Sequence, residues 1–484
     1  MCRRPLIVIL GATGTGKTKL AVELCRRFNG EIINSDSMQL YKGLDISTNK
    51  ATTGEMKGVV QHLIGFLDAS MVTFTVKDYR NRTLDTLERL WQRNVLPVMV
   101  GGTSYYIESV LWNLLTPNTQ KKHENVDGGA QHHLYSVIPA EILLLPNEEL
   151  HQHLQSVDMR SAAGLHPNNR RRVLSALQVY YSLKQPISEL HANQRMADGG
   201  NPLGGALRFS DVRMFWLNTH DNDALMSRLD ERVDEMVQRG LEHELTGFYD
   251  AEIDAMLSRR EALRQQHPNA DDSLLEELAV KGVWQSIGVK EFRSFLELSV
   301  EQRQSEYGRK LFDESVNRMK IATRQYARRQ LKWIRNRLLR HPDRQMPPMY
   351  ELDVTEPSNW LQQVHRPAVE IVDAYLENVA SAWEHLRCEV ADCATSAEHR
   401  QWHGGRVIRC KYCAQTMSNE NNWQQHCRSR RHRYMRSKAL KQAGTLHQTT
   451  TDMDNNGRIA LSDESIASCH TSNEREGDLI AAES

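Results

Sequence analysis

The stretch that most constrains this chain is Gly11-Ala12-Thr13-Gly14-Thr15-Gly16-Lys17-Thr18. It follows the apolar run Leu6 to Leu10 and leads into Lys19 to Phe28, which has helical character. A G-x-x-x-x-G-K-T pattern between a strand and a helix predicts a phosphate site. The glycines let successive backbone N–H groups curl inward, and the helix N-terminus adds its partial positive charge. Lys17 then reaches the terminal phosphates, and the Thr18 hydroxyl sits near a bound Mg²⁺. The chain is expected to bind a di- or triphosphate. Whether that phosphate belongs to ATP is decided by other residues.

A second short strand is expected over Glu31 to Asn34, ending in Ser35-Asp36-Ser37-Met38-Gln39-Leu40-Tyr41. A third, Val95 to Val100, ends in Gly101-Gly102-Thr103-Ser104 and opens a helix from Tyr105 to Leu114. In open α/β sheets ligands sit at the carboxyl ends of the strands, so Lys17, Thr18, Asp36 and Thr103 should share one crevice. The alternation predicts an α/β fold, a P-loop-type parallel sheet flanked by helices. Further on come a strand, Val212 to Leu217, and a helix from Asp223 to about Glu244 with the apolar stripe Leu225, Leu229, Val233, Met236, Val237 and Leu241. Arg228 and Arg232 lie together on another side of that helix, as an anion clamp or as ordinary surface charge. Lys281 to Gly288 reads as a loop.

At 484 residues there is room for two or three domains. The expected division is a catalytic core over 1–114 and 206–340, a helical insertion over 115–205 and a connecting segment over 341–400. A zinc finger over 401–441 and a disordered tail over 442–484 complete it. The net charge of zero hides a segregation of basic and acidic stretches. Within the insertion, His166-Pro167-Asn168-Asn169-Arg170-Arg171-Arg172 leads a helix from Val173 to Leu183, and three arginines at a helix start oppose its dipole unless an anion compensates. A helix over Ser315 to Leu339 has no acid from Asn317 onward, which makes it a nucleic-acid-facing candidate with Arg328 on it.

The eight cysteines are too scattered for a disulfide framework. Met1 to Pro5 leaves no room for a removable presequence, and no run approaches the roughly 18 apolar residues of a membrane span. A soluble intracellular protein is expected. Cys410-x₂-Cys413-x₁₂-His426-x₅-His432 has the spacing of a two-cysteine, two-histidine zinc site with a structural, closed coordination shell. From Arg406 to Lys441 the only acid is Glu420, so this module is suited to phosphate backbones.

A phosphate cradle beside Asp36 suits a phosphotransferase using ATP, or a transferase whose leaving group is the phosphate itself. Many ATP-hydrolysing proteins with this loop carry an acid at the end of an apolar strand to hold Mg²⁺. Here Val98-Met99-Val100 runs into Gly101-Gly102-Thr103. That weakens the ATPase reading and leaves a small-molecule or nucleotide kinase open, with a non-catalytic RNA-binding protein as the third class.

The motifs together, G-A-T-G-T-G-K-T, N-S-D-S-M-Q-L-Y-K-G-L-D-I-S-T-N-K, G-G-T-S-Y-Y, H-P-N-N-R-R-R, R-L-D-E-R-V-D-E-M and T-R-Q-Y-A-R-R-Q-L-K-W, resemble the tRNA dimethylallyltransferase (tRNA isopentenyltransferase) family over residues 6 to 340. The added finger is like that of eukaryotic members. The resemblance implies transfer of a dimethylallyl group from dimethylallyl diphosphate to the exocyclic N6 of adenosine 37 of tRNA, with Mg²⁺ in catalysis and Zn²⁺ in the finger. It implies Asp36 as general base, and Ser37, Met38 and Gln39 as contacts to the target base and its neighbours. Thr103 would contact substrate near the reacting centre, and Arg232 or Arg228 the diphosphate held by Gly11 to Thr18. Residues 115–205 would embrace the anticodon stem, with Arg171 and Arg172 near the RNA and Arg170 counted with them among the RNA contacts. A monomer is expected, in the cytoplasm, with mitochondrial or nuclear pools left open.

Overall fold

The computed structural model describes residues 3–113, 137–196, 203–266, 272–340 and 344–386, and within the C-terminal module 408–410, 412–413, 416–417, 423 and 426–442. The expected tail, the polar, loop-like segment Asn118 to Ala130, and a second Cys/His set, Cys388, Cys393, His399 and His403, whose five-residue gap between the pairs suits zinc less well, lie outside the described residues. The chain divides into two units, 1–407 and 408–484.

Six parallel strands form the sheet of the first unit: β1 Leu6–Gly11, β2 Gly30–Asn34, β3 Gln61–His62, β4 Leu96–Val100, β5 Val212–Asn218 and β6 Met349–Asp353, in the order β3-β2-β4-β1-β5-β6. Parallel strands need crossovers that place helices on both faces, so their apolar runs are continuous rather than alternating. In β1, Leu6, Val8 and Leu10 enter one core while Ile7 and Ile9 enter the other. Helix α1, Lys17–Arg27, covers the second core with Leu20 and Leu24. Helices α2, Val76–Gln92, and α3, Ser104–Leu111, cover the first with Leu87, Leu90, Ile107 and Val110. β1 lies between β4 and β5, and the crevice at its carboxyl end is the switch point of the sheet.

The chain leaves the core after α3 and returns before β5. At the junction Asn113 N–H donates to Ala206 O at 2.9 Å, Gly205 N–H to Asn113 O at 2.9 Å and Arg208 N–H to Leu111 O at 2.7 Å. Between these ends, α4, Asn147–Val157, and α5, Arg170–Leu183, pack Leu150, Leu154, Val173, Leu174 and Leu177 into a core of their own.

Three expectations are corrected. The single helix expected from Asp223 to about Glu244 is α6, Asn222–Gln238, followed by α7, Leu241–Gln266, with Gly240 at φ 99° between them. Glycine adopts that left-handed conformation without the Cβ clash that others meet. The Ser315 to Leu339 helix is longer at its start: α8 spans Glu306–Ile334, capped by Ser305 Oγ accepting Gly308 N–H at 3.1 Å.

The connecting segment expected from 341 onward contributes to the core. It supplies β6 and helix α9, Arg366–Leu376, whose Tyr375 hydroxyl accepts Leu6 N–H at 3.1 Å and donates to Asp211 O at 2.8 Å. The prolines that suggest a loop, Pro347, Pro348 and Pro357, flank β6 and do not interrupt it. A proline adjoining an edge strand costs no ladder bond. The Lys281–Gly288 loop contains a short 3₁₀ turn, Gly282–Gln285, with Trp284 buried.

Candidate active site and zinc centre

The loop after β1 turns through Gly14 at φ 80° and Gly16 at φ 83°, both in the left-handed region glycine favours. Gly16 caps α1, so Lys17 and Thr18 occupy the first helical turn. A Cβ on Gly16 would lie 2.7 Å from the ring of Trp360. That indole donates to the Glu23 carboxylate at 3.0 Å and carries Lys19 Nζ 4.3 Å from its ring centroid. No motif marks Trp360, because only the fold brings it to the phosphate loop.

The ends of β2 and β4 are bonded to each other beyond the sheet. Ser35 N–H donates to Val100 O at 2.8 Å and Thr103 N–H to Ser35 O at 3.0 Å. Asp36 follows at once, its Oδ1 accepting Met38 N–H at 3.0 Å, and the N–H groups of Gln39 and Gly102 also face the carboxylate. Thr103 Oγ1 accepts Ser37 N–H at 3.0 Å and donates to Ser37 Oγ at 3.1 Å. Removal from water raises the Asp36 pKa, opposed by those N–H groups and by the Lys17 charge. A desolvated carboxylate with a raised pKa is a stronger base than an ordinary one.

Gly102 is required by this packing. A Cβ there would meet Asp36 Oδ2 at 2.7 Å and Gln330 Nε2 at 2.8 Å. Gly102→Ala must displace the carboxylate. A misplacement near 1 Å costs about 10² in rate, so turnover should fall by about that factor. Unchanged turnover would show that the Asp36 position is not critical.

Lys17 sits in the field of both Asp36 and Arg232. Desolvation pushes its ammonium down to about 8, with Arg232 adding to the shift and Asp36 opposing it. Arg232 is pushed down to about 10, again by desolvation, with Asp36 and Glu235 opposing. These two cations and Asp36 therefore share one crevice. Arg228 donates to Val354 O at 3.1 Å. Among the described residues, buried Nε of Arg232 and buried Nε and Nη2 of Arg228 have no hydrogen-bond partner. Helix α6 lies against the loop, its Leu229 reaching within 2.7 Å of where a Gly14 Cβ would stand. Unpartnered guanidinium N–H groups beside a phosphate loop fit an anionic ligand.

Other expected contacts fall differently. The Gln39 amide donates to Thr48 O at 3.1 Å and Asn49 O at 3.0 Å, so it braces its own loop. Arg170 is buried, donating to Leu145 O at 2.7 Å, to Asn147 Oδ1 at 3.1 Å and to Leu143 O. It holds α4 to α5, which corrects its grouping with the RNA contacts. Its neighbours Arg171 and Arg172 are exposed, and the Arg172 charge is felt at Tyr105 beside the crevice. On α8, much of the basic density is spent in ion pairs, Lys320 with Asp234 at 2.7 Å and Arg324 with Asp230. Arg328, Arg329, Lys332 and Arg335 remain exposed and make no ion pair among the described residues.

In the second unit a hairpin, β7 Ile408–Arg409 and β8 Thr416–Met417, is followed by helix α10, Arg430–Gln442. Cys410, Cys413, His426 and His432 place their ligand atoms within 4.8 Å of one another. Cys410 Sγ lies 3.3 Å from His432 Nδ1, which lies 3.0 Å from His426 Nε2. Two thiols and two imidazoles at such separations match the edges of a tetrahedron with bonds of about 2.0 to 2.3 Å, as Zn²⁺ takes. Burial keeps both imidazoles more readily neutral, the form that ligates.

Residues 39–337 match the IPP transferase family, and residues 407–433 match the family described as zinc-finger double-stranded RNA-binding. The chain is 36% identical over 430 residues to tRNA dimethylallyltransferase of Mus musculus, covering 88% of this chain and 85% of that protein. It is 28% identical to tRNA dimethylallyltransferase of Saccharomyces cerevisiae, covering 91% and 94%. A crystal structure of a eukaryotic dimethylallyltransferase acting on tRNA superposes with a TM-score of 0.69 and 29% identity, over 91% of this chain and 98% of that one. The transferase match spans more than half of the chain and encloses Asp36's neighbours from Gln39 through Thr103, Arg232 and α8, so the chain belongs to the IPP transferase family.

Proposed function

We infer that this protein is a tRNA dimethylallyltransferase, moving a dimethylallyl group from dimethylallyl diphosphate to N6 of adenosine 37 and releasing diphosphate. The observation that carries this reading is the crevice in which Asp36 faces Lys17 and Arg232. An allylic diphosphate departs when its developing charge is met by prearranged donors. The loop N–H groups beyond Thr13, whose own N–H is bonded to Gln330, supply them with Lys17 and Arg232, and Arg228, tethered to Val354, lies one turn away. The exocyclic amine is a weak nucleophile that must lose a proton as the new C–N bond forms; Asp36 accepts it. Thr103 and Ser37, bonded to each other, border the carboxylate, and Met38 is left as the contact to the target base. A base handled this way leaves its stack.

Mg²⁺ would be held by the Thr18 hydroxyl and the substrate's own phosphate oxygens. β4 ends in Gly101-Gly102 without a carboxylate, and Mg²⁺ commonly takes few protein ligands beside phosphates. Bound there, it would neutralise leaving-group charge. Arg171, Arg172 and Arg328, exposed around the insertion and α8, are the proposed tRNA backbone contacts, and residues 115–205 the module that grips the anticodon stem. No helix among the described residues is long and apolar enough to cross a membrane.

Incubating tRNA with the protein and dimethylallyl diphosphate, then analysing nucleosides by mass spectrometry, tests the reading. A mass gain of one dimethylallyl group on adenosine at position 37 is expected. ATP-dependent phosphorylation of a small molecule, with tRNA unchanged, would replace this reading by a kinase.

The finger is proposed as an affinity module. Zn²⁺ should order it, since so small a fold cannot bury enough surface unaided. Cys410→Ser with Cys413→Ser should raise the KM for tRNA and flatten the plot of log affinity against log salt, by roughly 0.7 to 0.9 for each phosphate that the finger no longer neutralises. The saturated rate and the donor KM should hold. A collapsed saturated rate would assign the finger to the catalytic unit instead.

A further inference from the structure

The T-R-Q-Y-A-R-R-Q-L-K-W stretch belongs to the helix expected to face nucleic acid, yet Gln330 is buried within it, only 4% exposed. Its amide makes two hydrogen bonds to two different loops. Gln330 Oε1 accepts Thr13 N–H of the phosphate loop at 2.8 Å, and Gln330 Nε2 donates to Gly102 O at 2.8 Å. The amide orientation is fixed by chemistry, because a peptide N–H can only donate and a peptide carbonyl can only accept. Tyr326, one turn earlier on α8, donates its hydroxyl to the same carbonyl at 3.1 Å. Gly102 in turn directs its own N–H at the Asp36 carboxylate. A continuous chain of contacts thus runs from Thr13 through Gln330 and Gly102 to Asp36.

We propose that Gln330, assisted by Tyr326, is a positioning residue that fixes the Asp36 loop against the phosphate loop, so that the base and the leaving group keep one separation. The phosphate loop follows β1 and Gly102 follows β4, and among the described residues the ladder between these two strands ends at Ile9 and Val100. No other side chain among the described residues bridges Thr13 to Gly102. Helix α8 is rigid on this scale, since Ala327 and Leu331, flanking Gln330, pack with Ala12, Leu225 and Leu229 into one small apolar cluster. Transfer needs attacking amine, base and leaving diphosphate aligned together, and small misplacements of such groups are costly. The inference rests on Asp36 acting as base in prenyl transfer.

The test is a double-substitution cycle on single-turnover transfer, run after wild-type transfer and the loss caused by Asp36→Asn have been measured in the same assay. Those two measurements judge the underlying reading; the cycle judges Gln330. Gln330→Met keeps the length and apolar stem and removes both hydrogen bonds. It should lower the single-turnover rate constant by roughly 10- to 100-fold with the dissociation constant for tRNA little changed. In the Asp36→Asn background the same substitution should lower the residual rate by less than about threefold, since groups that act as a unit are not additive. Tyr326→Phe, which leaves the phosphate loop untouched, should show a smaller loss with the same dependence on Asp36, and it carries the test alone if Gln330→Met does not fold. Loss of equal size with and without Asp36, or no loss from either substitution, overturns the proposal.

Discussion

Asp36→Asn is expected to lower the single-turnover rate of dimethylallyl transfer by about 10² to 10⁴ while leaving tRNA affinity close to wild type. The asparagine keeps the size of the side chain, and its amide oxygen can still accept the Met38 N–H that now bonds Oδ1 at 3.0 Å. What it loses is the capacity to take a proton from the exocyclic amine. The loop itself should survive, because Ser35 and Thr103 hold it through backbone bonds and not through the carboxylate. The readout is therefore a split, a large fall in rate with a stable tRNA dissociation constant. The pH profile gives a second check. Desolvation raises the Asp36 pKa, so the wild-type rate should decline on acidification sooner than an ordinary aspartate would dictate, and the mutant's residual rate should lack that limb. A mutant rate within a few-fold of wild type would assign the base to another group.

Much of this site is legible in the sequence. The phosphate loop, the acid after the second strand and the glycine pair after the fourth are local patterns, each set by what a strand end must do at a ligand crevice. The zinc ligands are equally legible, because a tetrahedral site imposes fixed spacings on one short segment. The parts that escape are those made by long-range packing. β6 carries Glu351 and Asp353 among its apolar residues and is bracketed by prolines, so its sequence resembles a turn; only pairing with β5, Met214 with Met349 onward, makes it a strand. Trp360 and Gln330 reach the phosphate loop from more than 300 residues away in the chain, and no local period announces that. The arginines show the opposite failure. Arg170, Arg171 and Arg172 are chemically alike in sequence, but helical geometry turns the first inward to three carbonyl and amide oxygens and leaves the next two in solvent. Charge density marks the helix, and the direction of each side chain decides its use.

Lys17→Met should weaken pyrophosphate and donor binding and reduce transfer by about 10² to 10³, the scale of losing one prearranged charge contact to a developing oxyanion. The effect of pH separates this from a packing defect. Without a bound anion the Lys17 ammonium is pushed down to about 8 by desolvation, so its charge is present below that pH and is lost as pH rises through it. A diphosphate binds the charged form. Relative to Lys17→Met, whose profile carries only pyrophosphate's own ionisation, wild-type affinity for pyrophosphate should show an added fall above about pH 8, by at most about tenfold per unit. The same sign governs stability. The folded protein binds this proton less tightly than the unfolded chain does, so without a bound diphosphate the charged, desolvated lysine, only partly offset by Asp36, destabilises the fold in full below about pH 8, and that cost is relieved as pH rises above it. Lys17→Met should consequently melt somewhat higher than wild type at neutral pH without ligand, and saturating pyrophosphate should raise the wild-type Tm more than the mutant's. A mutant that melts lower without ligand, or that keeps the wild-type response to pyrophosphate, would show that Lys17 supports the loop through its bond to Ala12 O at 2.7 Å and not through charge on the leaving group.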